Sequence, residues 1–240
     1  MERSRARRIG VKAGVCALSL LGVFAGPKAR ATSVSMELAA TDTEPGVVIF
    51  PARAPGPRPI TVLLHGMCGD AANACRYFAD QVPQTSNLVC PRASARCPGG
   101  GASWPEKGVN EAVEAAVARA KAALPEVDDD HGRTLIGYSL GAYRAVSVAQ
   151  AGTARYPRLM LIGANVSLDR ARLTRNGTER ILLCAGERDM MHDPMQHEAE
   201  RARRAGLQTR FMGLGPVGHF FTPSFTEYLP QALAWLNALN

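Results

Sequence analysis

Gly137-Tyr138-Ser139-Leu140-Gly141 lies where the apolar run Thr134-Leu135-Ile136-Gly137-Tyr138 meets a helical pattern that extends from about Leu140 to Gln150. A Gly-x-Ser-x-Gly pentad at a strand-to-helix junction puts its serine on a sharp turn, with the hydroxyl lifted above the sheet edge. Glycines two positions either side leave room for the bend and for close helix–strand packing. Chance produces such a pentad in many chains. The junction gives this one its weight, and the segments that follow add to it.

Arg180-Ile181-Leu182-Leu183-Cys184-Ala185-Gly186 reads as a buried strand, and Glu187-Arg188-Asp189 as the turn after it. Gly213-Leu214-Gly215-Pro216-Val217-Gly218-His219-Phe220 places a histidine on a Gly/Pro-rich loop before the last helical segment. The chain order is therefore Ser139, Asp189, His219. Upstream, Ile60-Thr61-Val62-Leu63-Leu64-His65-Gly66-Met67 is an apolar strand running into a His-Gly loop. On these residues the chain resembles the α/β-hydrolase superfamily, whose triad follows the order Ser, Asp/Glu, His. The likeness covers essentially everything after the first 31 residues. It is nearest to small, lid-poor carboxylesterases and acyl-thioesterases, whose third strand also ends in Leu-His-Gly.

The resemblance implies a set of roles. Ser139 would be the nucleophile, His219 the general base, and Asp189 the carboxylate that orients the imidazole, with Asp193 its main rival. The backbone N–H groups of Leu140 and Met67 would receive the oxyanion. His65 is read as a structural residue that shapes the oxyanion loop. Tyr138, Trp104 and Phe220, with Met67 and Phe221, are candidates for an acyl pocket, though each also suits the core. The expected reaction is cleavage of a small-molecule or acyl ester by an acyl-enzyme route. The same triad also fits an acyltransferase or a peptidase, and a non-catalytic binding protein on this fold is the reading from a different class.

Short continuous apolar strands alternate with helical patterns, which predicts an α/β fold with a mostly parallel central sheet covered by helices on both faces. Strands are expected at 46–50, 60–64, 88–90, 134–138, 158–162, 180–186 and 207–212. Helices are expected at 70–81, 107–124, 140–150, 193–205 and 222–239. In 107–124, Val109, Val113, Ala116, Val117, Ala120 and Leu124 recur at helical spacing. The ligand site of such a sheet lies at the carboxyl ends of its strands. Ser139, Asp189 and the His65-Gly66 loop all follow strand ends, so one edge should hold them. No segment between the sixth and seventh strands is long enough for a large lid.

Residues 1–31 read as a secretory signal peptide, and 32–240 as one domain. The leader has a basic start (Arg3, Arg5, Arg7, Arg8, Lys12) and an apolar stretch from about Ala13 to Ala25, too short for a membrane anchor. Cleavage is expected near Val23-Phe24-Ala25 or Ala29-Arg30-Ala31. Arg7-Arg8 partly matches a twin-arginine signal, although Gly10 stands where a bulky apolar residue belongs; Sec export is the alternative. The expected destination is periplasmic or extracellular. This leader carries seven Lys/Arg and one Glu, hence +6 of the formal +7. The remainder is close to neutral, which argues against nucleic acid as a partner.

Of six cysteines, Cys16 falls in the leader, and Cys68, Cys75, Cys90 and Cys97 cluster within thirty residues. In an oxidising compartment these four predict two disulfides, with three pairings open. Cys184 on its buried strand reads as an inert small apolar residue. There is no Cys-x-x-Cys, and no motif supplies a ligand set, so no metal or other cofactor is expected. Asp128-Asp129-Asp130-His131 reads as a charged loop rather than a metal cluster, and His131, His192 and His197 as solvated.

Overall fold

The computed structural model describes residues 34–41, 45–124, 126–222 and 225–238. The leader expected at 1–31 lies outside them. Strands β1 (Met36–Leu38), β2 (Val47–Phe50), β3 (Ile60–Leu64), β4 (Asn87–Pro91), β7 (Thr134–Tyr138), β8 (Arg158–Ile162), β9 (Arg180–Ala185) and β10 (Gln208–Gly213) form one sheet in the order β1-β2-β4-β3-β7-β8-β9-β10. From β4 to β10 all neighbours are parallel, while β1 and β2 join antiparallel. A short antiparallel ribbon, β5 (Ala95–Arg96) with β6 (Ala102–Ser103), stands apart from it. The helices are α1 (Ala71–Arg76), α2 (Val109–Ala123), α3 (Leu140–Ala151), α4 (Arg170–Arg175), α5 (His192–Arg204) and α6 (Phe225–Asn237).

The continuous apolar runs are explained by burial on both faces. Alternate residues point opposite ways along a strand. Val62 and Leu64, Leu159 and Leu161, and Ile181 and Leu183 therefore join one core cluster, with Val113, Val117, Ala145, Met195 and Ala199 from α2, α3 and α5. Leu63, Met160, Ile162, Leu182 and Cys184 join the other, with Ala72 and Cys75 from α1 and Phe225, Leu229 and Leu236 from α6. The expected mostly parallel sheet with helices on both faces is what forms.

Four stretches differ from the sequence reading. The helix expected at 70–81 is α1 alone, capped by the Asp70 carboxylate on the Asn73 N–H at 2.9 Å; turns and a 3-10 segment at Val82–Gln84 follow it. The N–H groups of Tyr77, Phe78 and Ala79 reach back only three residues, to the carbonyls of Ala74, Cys75 and Arg76, so the ladder tightens into turns directly after α1. Residues 94–104, where neither a strand nor a helix is expected, fold into the β5–β6 ribbon around Gly99, Gly100 and Gly101. Strand β1 and helix α4 were not foreseen, since three and six residues carry too little periodicity to register.

Candidate active site

Ser139 is the sharpest point of the chain. Its backbone sits at φ 53°, ψ −121°, a conformation that costs a non-glycine residue about 1–3 kcal/mol. The surroundings hold it there. Its N–H donates to Ile162 O at the end of β8 at 2.8 Å, and its C=O accepts from the Ala142 N–H at 2.9 Å. The flanking glycines are required by contact. A Cβ on Gly141 would lie 2.1 Å from Leu64 O, and one on Gly137 2.5 Å from Ala142 Cα. The start of α3 is thus pressed against β3 and β7, and Ser139 projects from the carboxyl edge.

The three residues expected to work together meet there. Ser139 Oγ lies 3.0 Å from His219 Nε2, and His219 Nδ1 lies 2.8 Å from Asp189 Oδ2. The Asp189 side chain is 3% exposed, and its other oxygen accepts the Met191 N–H at 3.0 Å. The rival Asp193 is 82% exposed and turns instead to His192, at 2.8 Å from Nδ1. His192 is partly buried against Phe211 (ring centroids 5.0 Å apart), not solvated as the sequence reading had it. His131 is exposed and pairs with Asp128 at 3.0 Å, and His197 is exposed.

Backbone pairing sets the acid-to-histidine distance. Glu187 N–H donates to Gly215 O at 2.9 Å and Arg188 N–H to Val217 O at 3.0 Å, so the two loops run zipped together. The Tyr138 hydroxyl donates to the carbonyl of His219 itself. Burial, with Asp189 and Tyr77 adding to it, pushes the Tyr138 phenol up to about 12, which keeps it a donor at neutral pH. Tyr138 lines the cleft as expected, and it also fixes the histidine loop. Gly163 is a residue the sequence reading missed: a Cβ there would stand 3.1 Å from His219 Cε1 and 3.2 Å from Asp189 Oδ2. No motif surrounds it, so only the packing reveals it.

The His65-Gly66-Met67 loop faces the serine. A Cβ on Gly66 would lie 3.3 Å from Ser139 Cβ. The Leu140 N–H, at the first position of α3, belongs to the helix's unsatisfied donors. Among the described residues the Met67 N–H has no backbone acceptor. Both amides expected for an oxyanion are thus free to donate. His65 is buried; its Nδ1 donates to Gly66 O at 2.8 Å, and its Nε2 accepts from the Ala93 N–H at 3.4 Å. Burial is the largest influence on it and holds its pKa below the ordinary 6.5. It is a neutral strut for the loop.

Trp104 is the correction among the pocket candidates. It is buried rather than in the cleft; its indole N–H donates to His65 O at 2.8 Å, and its ring packs 5.0 Å from that of His65. An indole needs a partner for its N–H when buried, and the loop carbonyl supplies it. The β5–β6 ribbon clamps the same loop through Ala102 N–H to Gly69 O at 3.0 Å and a Cys68–Cys97 disulfide. Cys75–Cys90 is the second bridge and ties α1 to β4. Cys184 is free and buried, and burial pushes its thiol pKa up.

The cleft beside Ser139 encloses about 430 Å³. Met67 and Phe220 stand at its mouth, with Tyr77, Tyr138 and Phe221 among its walls. Phe221 packs 4.3 Å from the Tyr138 ring and 4.7 Å from Phe225, centroid to centroid. Among the described residues no group of three or more His, Cys, Asp or Glu is placed to hold a metal ion. The acidic loop is spent on ion pairs: Asp129 accepts from Arg133 at 2.8 Å and pairs with Lys121 at 3.1 Å.

No protein-family model matches this sequence, and no curated protein sequence does. Solved structures do match its shape. Fluorophosphonate-binding serine hydrolase F (FphF) of Staphylococcus aureus superposes with a TM-score of 0.63 at 13% identity, over 85% of this chain and 97% of that one. A ferulic acid esterase gives 0.64 at 14% identity, over 85% and 96%. A thermostable esterase from Pseudomonas putida ECU1011 gives 0.64 at 16% identity, over 87% and 84%. At such identities the likeness is one of fold. Sheet order, elbow geometry and these neighbours agree: the chain has the α/β-hydrolase fold.

Proposed function

We propose that this protein is an exported serine hydrolase that cleaves carboxylic esters through an acyl-enzyme. The observation that carries the reading is the unbroken relay from Ser139 Oγ to His219 Nε2 at 3.0 Å and from His219 Nδ1 to Asp189 Oδ2 at 2.8 Å. It stands on a strained serine beside two free amides. The named esterases with the same fold favour hydrolysis of a small ester over other chemistries of the superfamily.

His219 takes the proton of Ser139 as Oγ bonds to the ester carbonyl carbon. The carbonyl π electrons move to oxygen, and the N–H groups of Met67 and Leu140 receive that oxyanion; one such donor contributes about 2.7–4 kcal/mol in comparable sites. Collapse breaks the bond to the alcohol oxygen, and His219 returns the proton to that leaving group. Water then repeats the sequence on the acyl-serine, releasing the acid and restoring Oγ–H. Asp189 keeps Nδ1 protonated throughout and stabilises the transient imidazolium. The leader pattern and the two disulfides support export, since such bridges persist in oxidising compartments.

The test is rapid quenching of the enzyme with a p-nitrophenyl ester, followed by mass analysis of the peptide that holds residue 139. An acyl group on Ser139, with a burst of nitrophenolate, is expected. Turnover with no acylated serine would overturn the covalent route.

A further inference from the structure

The backbone bonds that zip the acid loop to the histidine loop end at Val217. From Gly218 to Phe221 the chain makes no backbone–backbone hydrogen bond among the described residues, yet this stretch carries His219. Phe220, at its centre, is 79% exposed, so protein does not cover the segment on that side. Segments with so few backbone bonds are the ones that open locally. Something other than the backbone must therefore keep His219 Nε2 at 3.0 Å from Ser139 Oγ.

Two phenol hydroxyls stand where the ladder is missing. Tyr138, the last residue of β7, donates to the His219 carbonyl, and Tyr77, which follows the last turn of α1, donates to the Phe221 carbonyl at 3.4 Å. The Phe221 ring anchors the segment between them. Its centroid lies 4.3 Å from that of Tyr138 and 4.9 Å from that of Tyr77, and it meets buried Phe78 edge-on at 5.7 Å. Tyr138 also touches the other half of the site. A Cβ on Gly66 would lie 3.1 Å from its ring carbons Cδ1 and Cε1, and its ring centroid is 5.5 Å from the imidazole of His219. One ring thus spaces the His65-Gly66-Met67 loop from the histidine. With its phenol pushed up to about 12 by burial, Tyr138 stays a donor wherever an imidazole titrates.

We propose that Tyr138 and Tyr77 are positioning residues that clasp the His219 segment and so hold Nε2 on the Ser139 hydroxyl. This rests on the serine-hydrolase reading. Both side chains also line the cleft, and a wall residue that served only to bind the ester would act on KM. The clasp acts through the segment's carbonyls instead, so its loss falls on kcat. Because both bonds hold one short segment, each partly covers for the other.

Tyr138→Phe, Tyr77→Phe and the double variant test the clasp, since each keeps the ring and deletes only the donor. Small misplacements of catalytic groups are expensive, so Tyr138→Phe should lower kcat on p-nitrophenyl acetate by about tenfold to hundredfold, with KM held within about twofold. Tyr77→Phe, whose bond is longer, should lose less, and the double variant should lose more than the product of the two, as residues in one network do. The low-field proton NMR resonance of the Nδ1–H shared by His219 and Asp189 should broaden by exchange in Tyr138→Phe. Tyr143→Phe is the control: its hydroxyl accepts the Asn165 N–H at 3.1 Å, and its loss should leave the resonance in place and change kcat by less than about twofold. Thermal melting confirms that each variant is folded, and Tyr77→Phe carries the test alone if Tyr138→Phe is not. Three results would each overturn the clasp: an unchanged kcat and resonance in Tyr138→Phe, a loss confined to KM, or a double variant no worse than Tyr138→Phe. Failure to acylate Ser139 in the rapid-quench experiment would count against the hydrolase reading instead, and the resonance, which needs no turnover, would still decide the clasp.

Discussion

Replacing Asp189 by Asn changes one atom of the relay, and the structure says what that does. The carboxylate accepts on both sides: Oδ2 from His219 at 2.8 Å and Oδ1 from the Met191 N–H at 3.0 Å. An amide has one acceptor and one donor end. If its oxygen stays on Met191, its NH2 faces Nδ1 and turns the imidazole into the tautomer with Nε2 protonated, which cannot take the serine's proton. If it flips, the competent tautomer returns, but two donors then face each other at Met191 in a buried site. Leaving a buried donor unsatisfied costs about 1–3 kcal/mol, which is about 5- to 150-fold in rate. The imidazolium formed during attack also loses its buried counter-charge. A triad aspartate replaced this way drops turnover by ~10⁴-fold, so the lost charge accounts for the remaining ~10²- to 10³-fold. The assay is kcat on p-nitrophenyl acetate, with the relay's integrity checked by thermal melting. Asp193→Asn, on the exposed rival, should change kcat by less than about twofold, as surface substitutions generally do. An Asp189→Asn enzyme that keeps a tenth of its activity, or an equal loss in Asp193→Asn, would refute the reasoning.

Three further outcomes are expected. Removing the Cys68–Cys97 bridge by paired serine substitution should lower both stability, by about 2–4 kcal/mol, and ester turnover, because Cys68 adjoins the Met67 amide; removing Cys75–Cys90 should cost mainly stability in urea titrations. Gly141→Ala drives a methyl into Leu64 O and should destabilise by about 3 kcal/mol or fail to fold, measured by the urea midpoint. Acidification should also destabilise. With His65 held below 6.5, the unfolded chain binds the proton first; stability is complete above about 6.5 and declines below it until folded His65 titrates too. His65→Gln should remove that slope from urea midpoints measured across the range. A second loss should follow between 3.8 and about 2 as Asp129 gives up its Arg133 partner, and Asp129→Asn should remove it.

Ser139 and Asp189 were legible in the sequence because each follows an apolar run long enough to be recognised as a strand, and His219 because it sits on a Gly/Pro-rich loop before the last helix. Once strand polarity is known, the carboxyl edge follows. What the sequence could not show was whatever depends on contacts between distant segments. Trp104 looked like a pocket aromatic because composition does not say where an indole N–H goes, and only the fold brings His65 O to it. Gly163 carries no signature, since its need for a bare backbone arises from an imidazole 56 positions downstream. The disulfide pairing was open for the same reason: Cys68 and Cys97 meet only after the β5–β6 ribbon folds over the His65-Gly66-Met67 loop.

The central claim is that Ser139 is an activated nucleophile, and a fluorophosphonate probe tests it most directly. Such a probe phosphonylates a serine whose base and oxyanion donors are in place, and an ordinary turn serine stays unmodified. The folded protein should take up one equivalent on the peptide that holds Ser139, Ser139→Ala should take up none, and His219→Ala should label far more slowly. A folded protein that stays unlabelled, or that carries the label elsewhere while Ser139→Ala labels normally, would contradict the account.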